Sequence, residues 1–451
     1  MIHSVLKVTF KIIFFSSLLL HASVLDSNQL RSGLSIHNFS TTLATVTSDK
    51  SDDGQFWYWL NLARLQQANG DFTSSIKSFE TAYAILDEYE NRAKVSLRNI
   101  GSFIGSSLLS KGSESYYGKG YERSLMHTLN ALNYLMLSNF EGAAVEMRRM
   151  EQRQEFWLKE SEEKIKEASE EKEKAYRQGN DTTHIPANYS LAAMLEDPDV
   201  RALTNNYQDP FSYTLANIIM NVSGQSSVSG NWGEISLKRA LALNPDVSKA
   251  FIQLPYSSSL QNNKMEVTVI VLAGEAPALK IEKIRFPILR GAVYTSIDLP
   301  SYTSPSNDLM NVAILTDKLQ LQPPRLLKTD LMAYKTLKDE LPGELAKSVV
   351  RATTKAIAAK QASDHFGNLG GLVASLVFDV GSSYSDSGFR NWEMMPNSGY
   401  IAKFEAIKNS TVTVKLNKTK ESFVLPSDKK GTIVLINYLT PDNIRIDHVS
   451  Y

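Results

Sequence analysis

Residues 57–86 read WYWLNLARLQQANGDFTSSIKSFETAYAIL. Trp59, Leu62, Ala63 and Leu65 fall on one stripe at helical spacing, Asn69-Gly70-Asp71 interrupts the pattern, and Phe72, Ile76, Phe79, Ala82 and Tyr83 form a second stripe. Two amphipathic helices joined by a tight turn make a helical hairpin. Ala63 and Ala82 are small enough for the helices to approach closely, while Trp59 and Phe79 fill the space between and above them. A lone hairpin cannot bury its whole apolar face, so roughly three or more such units are expected to stack.

The segment resembles a tetratricopeptide repeat, with Trp59, Leu62 and Ala63 on the first helix, Gly70-Asp71-Phe72 at the turn, and Ser75, Phe79 and Ala82 on the second. That resemblance implies a binding scaffold. Two weaker copies follow. In residues 124–150, Ala131 and Tyr134 precede a turn at Ser138-Asn139-Phe140, and Ala143 and Met147 come after it, with Ser138 standing where the first copy has glycine. Residues 210–245 hold FSYTLANIIM and GEISLKRALALNP, separated by a Ser/Gly-rich turn over 222–231. The copies begin at 57, 124 and 210, whereas a regular solenoid of this kind repeats every ~34 residues, so the array is degenerate with long insertions.

Lysine plus arginine total 48 and aspartate plus glutamate 48 in 451 residues, a balance without the electrostatic footprint of a nucleic-acid binder. The N-terminus differs from the rest. Lys7 and Lys11, the apolar run 12–20 and His21-Ala22-Ser23 read as an export signal over residues 1–23. An uncleaved anchor is the alternative, and only then would the chain touch a membrane; the run is shorter than the ~20 residues a spanning helix needs. There is no cysteine, hence no disulfide framework, no thiolate metal site and no residue for lipobox acylation. The expected location is the periplasm or another part of the cell envelope.

By pattern, residues 24–54 form a linker and 55–255 a helical repeat domain. Within it, 141–178 reads as one long helix whose distal half is nearly all charge, expected to project into solvent, with a partner-binding coiled segment as the alternative. Beyond 255 the period changes. Residues 265–272, 279–288 and 311–315 read as strands, with a Ser/Thr/Pro-rich loop before the third. Helices follow over 328–362 and 369–378, then strands near 399–404, 411–416, 421–425, 431–438 and 444–449. The fold class is α+β: an N-terminal helical, tetratricopeptide-like domain followed, over 256–451, by a mostly antiparallel, sandwich-like sheet domain with inserted helices.

The order of export signal, degenerate repeats containing YERSLMHTLNALNYLMLSNFEGAAVEMRR, the KRALALNP terminus, a β run, an Ala/Gly-rich helix and Phe389-Arg390-Asn391-Trp392 with Pro396 beyond is similar to a family of Gram-negative envelope lipoproteins with tetratricopeptide-like repeats. Genes of that family often neighbour one for an outer-membrane activator of peptidoglycan-synthesising penicillin-binding proteins. The resemblance therefore implies a protein partner in the envelope, with the cell-wall synthesis machinery as its candidate, or binding to peptidoglycan itself. The chain departs from the family in lacking the lipobox cysteine.

No motif for catalysis, metal or cofactor stands out, so the expectation is a protein that is not an enzyme and carries no cofactor, with an envelope hydrolase ranked last among the readings. The seven histidines form no HExxH and no close cluster, and His127 reads as a packed helix residue. Past the N-terminal segment, where Ser4 and Lys7 also fit, Ser-x-x-Lys occurs at Ser74, Ser161, Ser169 and Ser427 without a following Lys-Thr-Gly, as chance gives in a lysine-rich chain. Gly367-Asn368-Leu369-Gly370-Gly371 lacks the spacing of a dinucleotide loop. What remains is surface recognition. Trp57, Tyr58 and Tyr121 are aromatics placed to line a groove; Trp57 and Tyr58 point to different sides of a helix, so at least one is expected at the surface. Arg390 and Trp392 share a face if their segment is extended, which would set a guanidinium over an indole, either packed in the core or, as the candidate partner-binding reading, at a surface.

Overall fold

The strand Gly431–Thr440 is buried at every one of its ten residues. A strand buried on both faces is read as an uninterrupted apolar run, because each of its two alternating sets of side chains needs its own cover. Here Ile433 and Leu435 face a layer of helices, while Val434, Ile436 and Tyr438 face a second sheet.

The computed structural model describes residues 30–31, 39–48, 56–98, 116–224, 231–252, 263–288, 290, 293–309, 311–380 and 390–451. The segment read as an export signal lies outside the described residues. The helical layer comprises α1 (Phe39–Ser48), α2 (Phe56–Ala68), α3 (Phe72–Arg98), α4 (Gly120–Met136), α5 (Phe140–Arg177), the short α6 (Ala192–Leu195) and α7 (Pro198–Ala202), α8 (Pro210–Val222) and α9 (Trp232–Leu243). The strands are β1 (Phe251–Ile252), β2 (Lys264–Ala273), β3 (Leu279–Ile288), β4 (Val293–Tyr302), β5 (Val312–Leu315), β6 (Gln320–Leu321) and β7 (Arg325–Lys328), then, after α10 (Thr329–Val380), β8 (Ser398–Ile407), β9 (Thr411–Leu416), β10 (Thr419–Val424), β11 (Gly431–Thr440) and β12 (Asn443–Ser450).

The three helical hairpins expected from the sequence are present as α2/α3, α4/α5 and α8/α9. Their turns explain the residues that mark them. Gly70 takes a φ of 79°, and Asp71 Oδ1 accepts the Ser74 amide at 3.0 Å to start α3. In the second turn Ser138 itself adopts the left-handed conformation at 60°, and Asn139 Oδ1 caps α5 through the Gly142 amide at 2.8 Å. Ser75 Oγ donates to Ala63 O at 2.7 Å, which ties α2 to α3 at their closest approach.

The main sheet has the order β1-β8-β2-β11-β12, with β7 beside β1 on the outer edge of β8. Antiparallel pairings dominate, but the two central strands, β2 and β11, run parallel. The four-stranded sheet β10-β9-β5-β6 covers one face through Val412, Val414, Leu416, Val312 and Ile314, which meet Val267, Val269, Ala402 and Phe404. The opposite face, Ile270, Leu272, Ile401, Ile433 and Leu435, joins the helical residues Phe56, Phe79, Leu129 and Phe211 in one continuous core. Helical and sheet halves thus share their interior.

Four expectations are corrected. Part of the segment read as a linker is helix α1, whose Val46 is buried. Residues 293–302, read within a loop because Ser, Thr and Pro mask their alternation, form β4 and pair with β3 along its full length. The two helices expected after 328 are one, and its helical backbone continues through Pro342 and through the glycine segment 367–371. The charged half of α5 does not project freely, because α10 lies beside it: Gly343 faces Ala168 so closely that a Cβ would sit 2.6 Å from the alanine Cβ. Asn180, just past α5, donates to Thr353 at 3.0 Å, so the two helices run in the same direction. Gly343→Val is expected to force them apart, lowering stability by about 1–3 kcal/mol and speeding amide exchange over 165–177. Unchanged protection there would show that the end of α5 stands without α10.

Candidate functional site

Between α10 and β8, residues 391–397 form neither helix nor ladder, yet all seven are buried. Irregular backbone inside a core must find partners for its polar groups, and here these come from every surrounding element. Trp57 Nε1 on α2 donates to Asn391 O at 3.0 Å and to Glu393 Oε2 at 2.5 Å. Asn61, one turn on, receives the Met394 amide at 3.0 Å. Glu122 Oε1 on α4 accepts the Trp392 amide at 2.8 Å. Asn391 bridges to the start of β3, accepting from the Leu279 amide at 2.9 Å and donating to Pro277 O at 2.8 Å. Thr329 opens α10 by donating to Pro396 O at 2.7 Å through its hydroxyl and to Asn397 O at 3.0 Å through its amide. The segment fastens the helical layer to the sheet.

This clasp accounts for most of the residues expected at a recognition surface. Trp57 and Trp392 are fully buried, and Tyr58 and Tyr121 nearly so. Trp57 and Tyr58 do point to different sides of α2, but both sides are covered: Trp57 by the clasp, and Tyr58 by α1, where its hydroxyl donates to Val46 O at 3.0 Å. Tyr121 is packed against Tyr302. The Arg390–Trp392 pairing is corrected as well, because the chain turns at Trp392, whose carbonyl accepts the Met395 amide at 3.2 Å. The Trp392 ring meets Phe79 edge-on at 6.0 Å, and the half-buried Arg390 guanidinium lies over Trp57 at 4.5 Å. These aromatics are core. Asn61, Glu122 and Glu393, which complete the clasp, carry no sequence signal beyond being polar residues within apolar stripes. Burial pushes the Glu122 carboxyl above its ordinary value, against the pull of the two backbone amides that it accepts.

A second buried polar group joins α3, α4 and α5. His127 Nδ1 meets Glu146 Oε2 at 2.7 Å, and its Nε2 accepts from Arg153 Nε at 3.3 Å. Tyr83 stacks on the imidazole at 4.3 Å and donates its hydroxyl to the same Glu146 oxygen at 2.9 Å. Arg149 holds the other Glu146 oxygen at 2.8 Å, while Arg153 also reaches Glu90 and Asp87. With both ring nitrogens engaged, His127 has no lone pair left to take a proton from a substrate. The group is a tether between helices. Among the described residues there is no cluster of three or more side chains suited to a metal ion, and no helix is long and apolar enough to cross a membrane. No family model, curated protein or solved structure matches the chain.

Burial holds the His127 imidazole below its ordinary value, Arg153 and Arg149 acting in the same direction and Glu146 against it. The unfolded chain therefore binds this proton first, and the stabilisation is complete above about pH 6.5 and fades as the pH falls below it. The stability advantage of the wild type over His127→Gln should be constant above pH 7 and shrink below pH 6.5, by at most about 1.4 kcal/mol per pH unit. Denaturant unfolding across that range measures it, and an advantage that grows on acidification would mean that the native ring is charged.

Proposed function

We propose that the protein is a non-enzymatic scaffold that binds a protein partner in the bacterial cell envelope, in connection with cell-wall assembly, and that its helical hairpins are degenerate tetratricopeptide-like repeats. The resemblance of the whole chain to envelope proteins of that kind supports the compartment. The buried group of Tyr83, His127, Glu146 and Arg153 is engaged internally, with both imidazole nitrogens occupied.

The observation that carries the binding role is the free side of α5. Leu158, Ile165 and Tyr176 are 44%, 67% and 78% exposed. Their spacings of seven and eleven residues put them within about 20° of one another around the helix. Glu162, Lys166, Ser169, Lys172 and Glu173 lie between and beside them, in the manner of charges flanking the seam of a coiled coil. A partner's amphipathic helix fits this stripe. The double variant Ile165→Glu, Tyr176→Glu should keep its melting temperature and lose about tenfold or more of the envelope protein crosslinked in the native cell. Undiminished capture by that variant, or no specific partner at good expression, would count against the role.

The alternative reading, a peptidoglycan binder with the C-terminal half as reader, draws on the open face of the outer sheet. Strand register sets Lys415 directly opposite Lys420 and Thr413 opposite Ser422, with Ala313 beside Lys415 and Leu315 beside Thr413. Like charges across a ladder cost stability, and a carboxylate-bearing cell-wall peptide would relieve that cost. Lys415→Gln, Lys420→Gln should abolish co-sedimentation with purified peptidoglycan; no sedimentation of the wild type removes this reading.

A further inference from the structure

Arg64 lies on α2, facing β11, and is entirely buried. Its Nη1 donates to two neutral amides, Gln67 Oε1 at 3.1 Å and Asn437 Oδ1 at 2.7 Å. Its Nε and Nη2 have no hydrogen-bond partner among the described residues, and neither has Asn437 Nδ2. The two guanidinium nitrogens are not an arbitrary pair. They form one edge of the planar fork, the edge that grips an anion with two parallel N–H groups. Burial draws the guanidinium down to about 9, and no neighbouring charge contributes to that displacement. At neutral pH the group is therefore a cation in a dry interior without a counter-charge, an arrangement that a stable core does not sustain.

The carboxylates carried by the adjoining elements have partners of their own. Glu393 accepts from Trp57 and Asn61, and Asp447 is held by Arg445 at 2.8 Å. Arg445 stands opposite Asn437 in register and packs across Gly70, so closely that a Cβ there would strike its guanidinium. Arg64 itself has no exposure to solvent, which excludes a peptide carboxylate or a nucleotide phosphate. We infer that the Nε–Nη2 edge of Arg64 holds a single monovalent inorganic anion of chloride size where α2 meets the sheet, enclosed as the protein folds. Its charge would balance the guanidinium, and the two parallel N–H groups of the Nε–Nη2 edge would hold it, while Asn437 Oδ1 fixes the opposite side of the fork through Nη1.

The full chain can be tested with chloride itself. At equal ionic strength and pH 7.5, the thermal midpoint should be about 2–4 °C higher in sodium chloride than in sodium gluconate, and Arg64→Met should remove that difference. Crystals grown in sodium bromide should show an anomalous peak within about 3.5 Å of Arg64 Nε and Nη2. Equal wild-type midpoints, a chloride increment that survives in Arg64→Met, or a bromide map with no anomalous peak at Arg64 would overturn the inference. If Arg64→Met does not fold, the bromide map decides alone.

Discussion

Seven consecutive residues without helix or strand lie in the centre of this protein, and their backbone cannot be hydrated there. An amide or carbonyl left unmet in that position would cost about 1–3 kcal/mol. The chain meets these groups with Trp57 and Asn61 from α2, Glu122 from α4 and the first turn of α10, and the Asn391 side chain adds a bond to the entrance of β3. These bonds join four elements to the same short segment, so none of those elements can move away without exposing its partner. The position of the helical layer on the sheet follows from this requirement more than from any single apolar contact, although Trp392 against Phe79 fills the space behind it.

The same economy of polar partners decides where function can reside. His127, Glu146, Tyr83 and Arg153 have the composition of a catalytic group, but their hydrogen bonds are spent on one another. Residues with aromatic character suited to recognition, Trp57, Tyr121 and Trp392, are spent on the core. Among the described residues that do face outward, α5 carries an apolar stripe between charges and the outer sheet a face of lysines and hydroxyls.

Much of the fold was legible in the sequence where one physical period dominated a segment. The helical hairpins were visible because Phe72, Ile76, Phe79 and Tyr83 recur at helical spacing after a Gly-Asp turn, and β2 and β9 because β-branched residues alternate or run without break. β4 was hidden because Ser296, Pro300 and Ser301 dilute the alternation whose buried members are Ile297 and Leu299. α1 was hidden because a Ser/Thr-rich helix is stabilised by what it covers, here Tyr58, rather than by its own propensity. The candidate site was less legible. Aromatic residues are the currency of both groove and core, and only the clasp, built from residues more than 260 positions away in sequence, settles which side Trp57 and Glu122 are on. Arg64 gave no sign, since its meaning lies in what it fails to meet.

Native-state hydrogen exchange in increasing denaturant probes the clasp most directly, by comparing amides of α2 and α4 with those of β2 and β11. If the buried segment binds the helical layer to the sheet, both sets open together, with the same free energy and the same denaturant dependence. If the helical hairpins open as a separate unit at clearly lower free energy, while β2 and β11 remain protected, then the segment is a passive crossing and the two halves are independent.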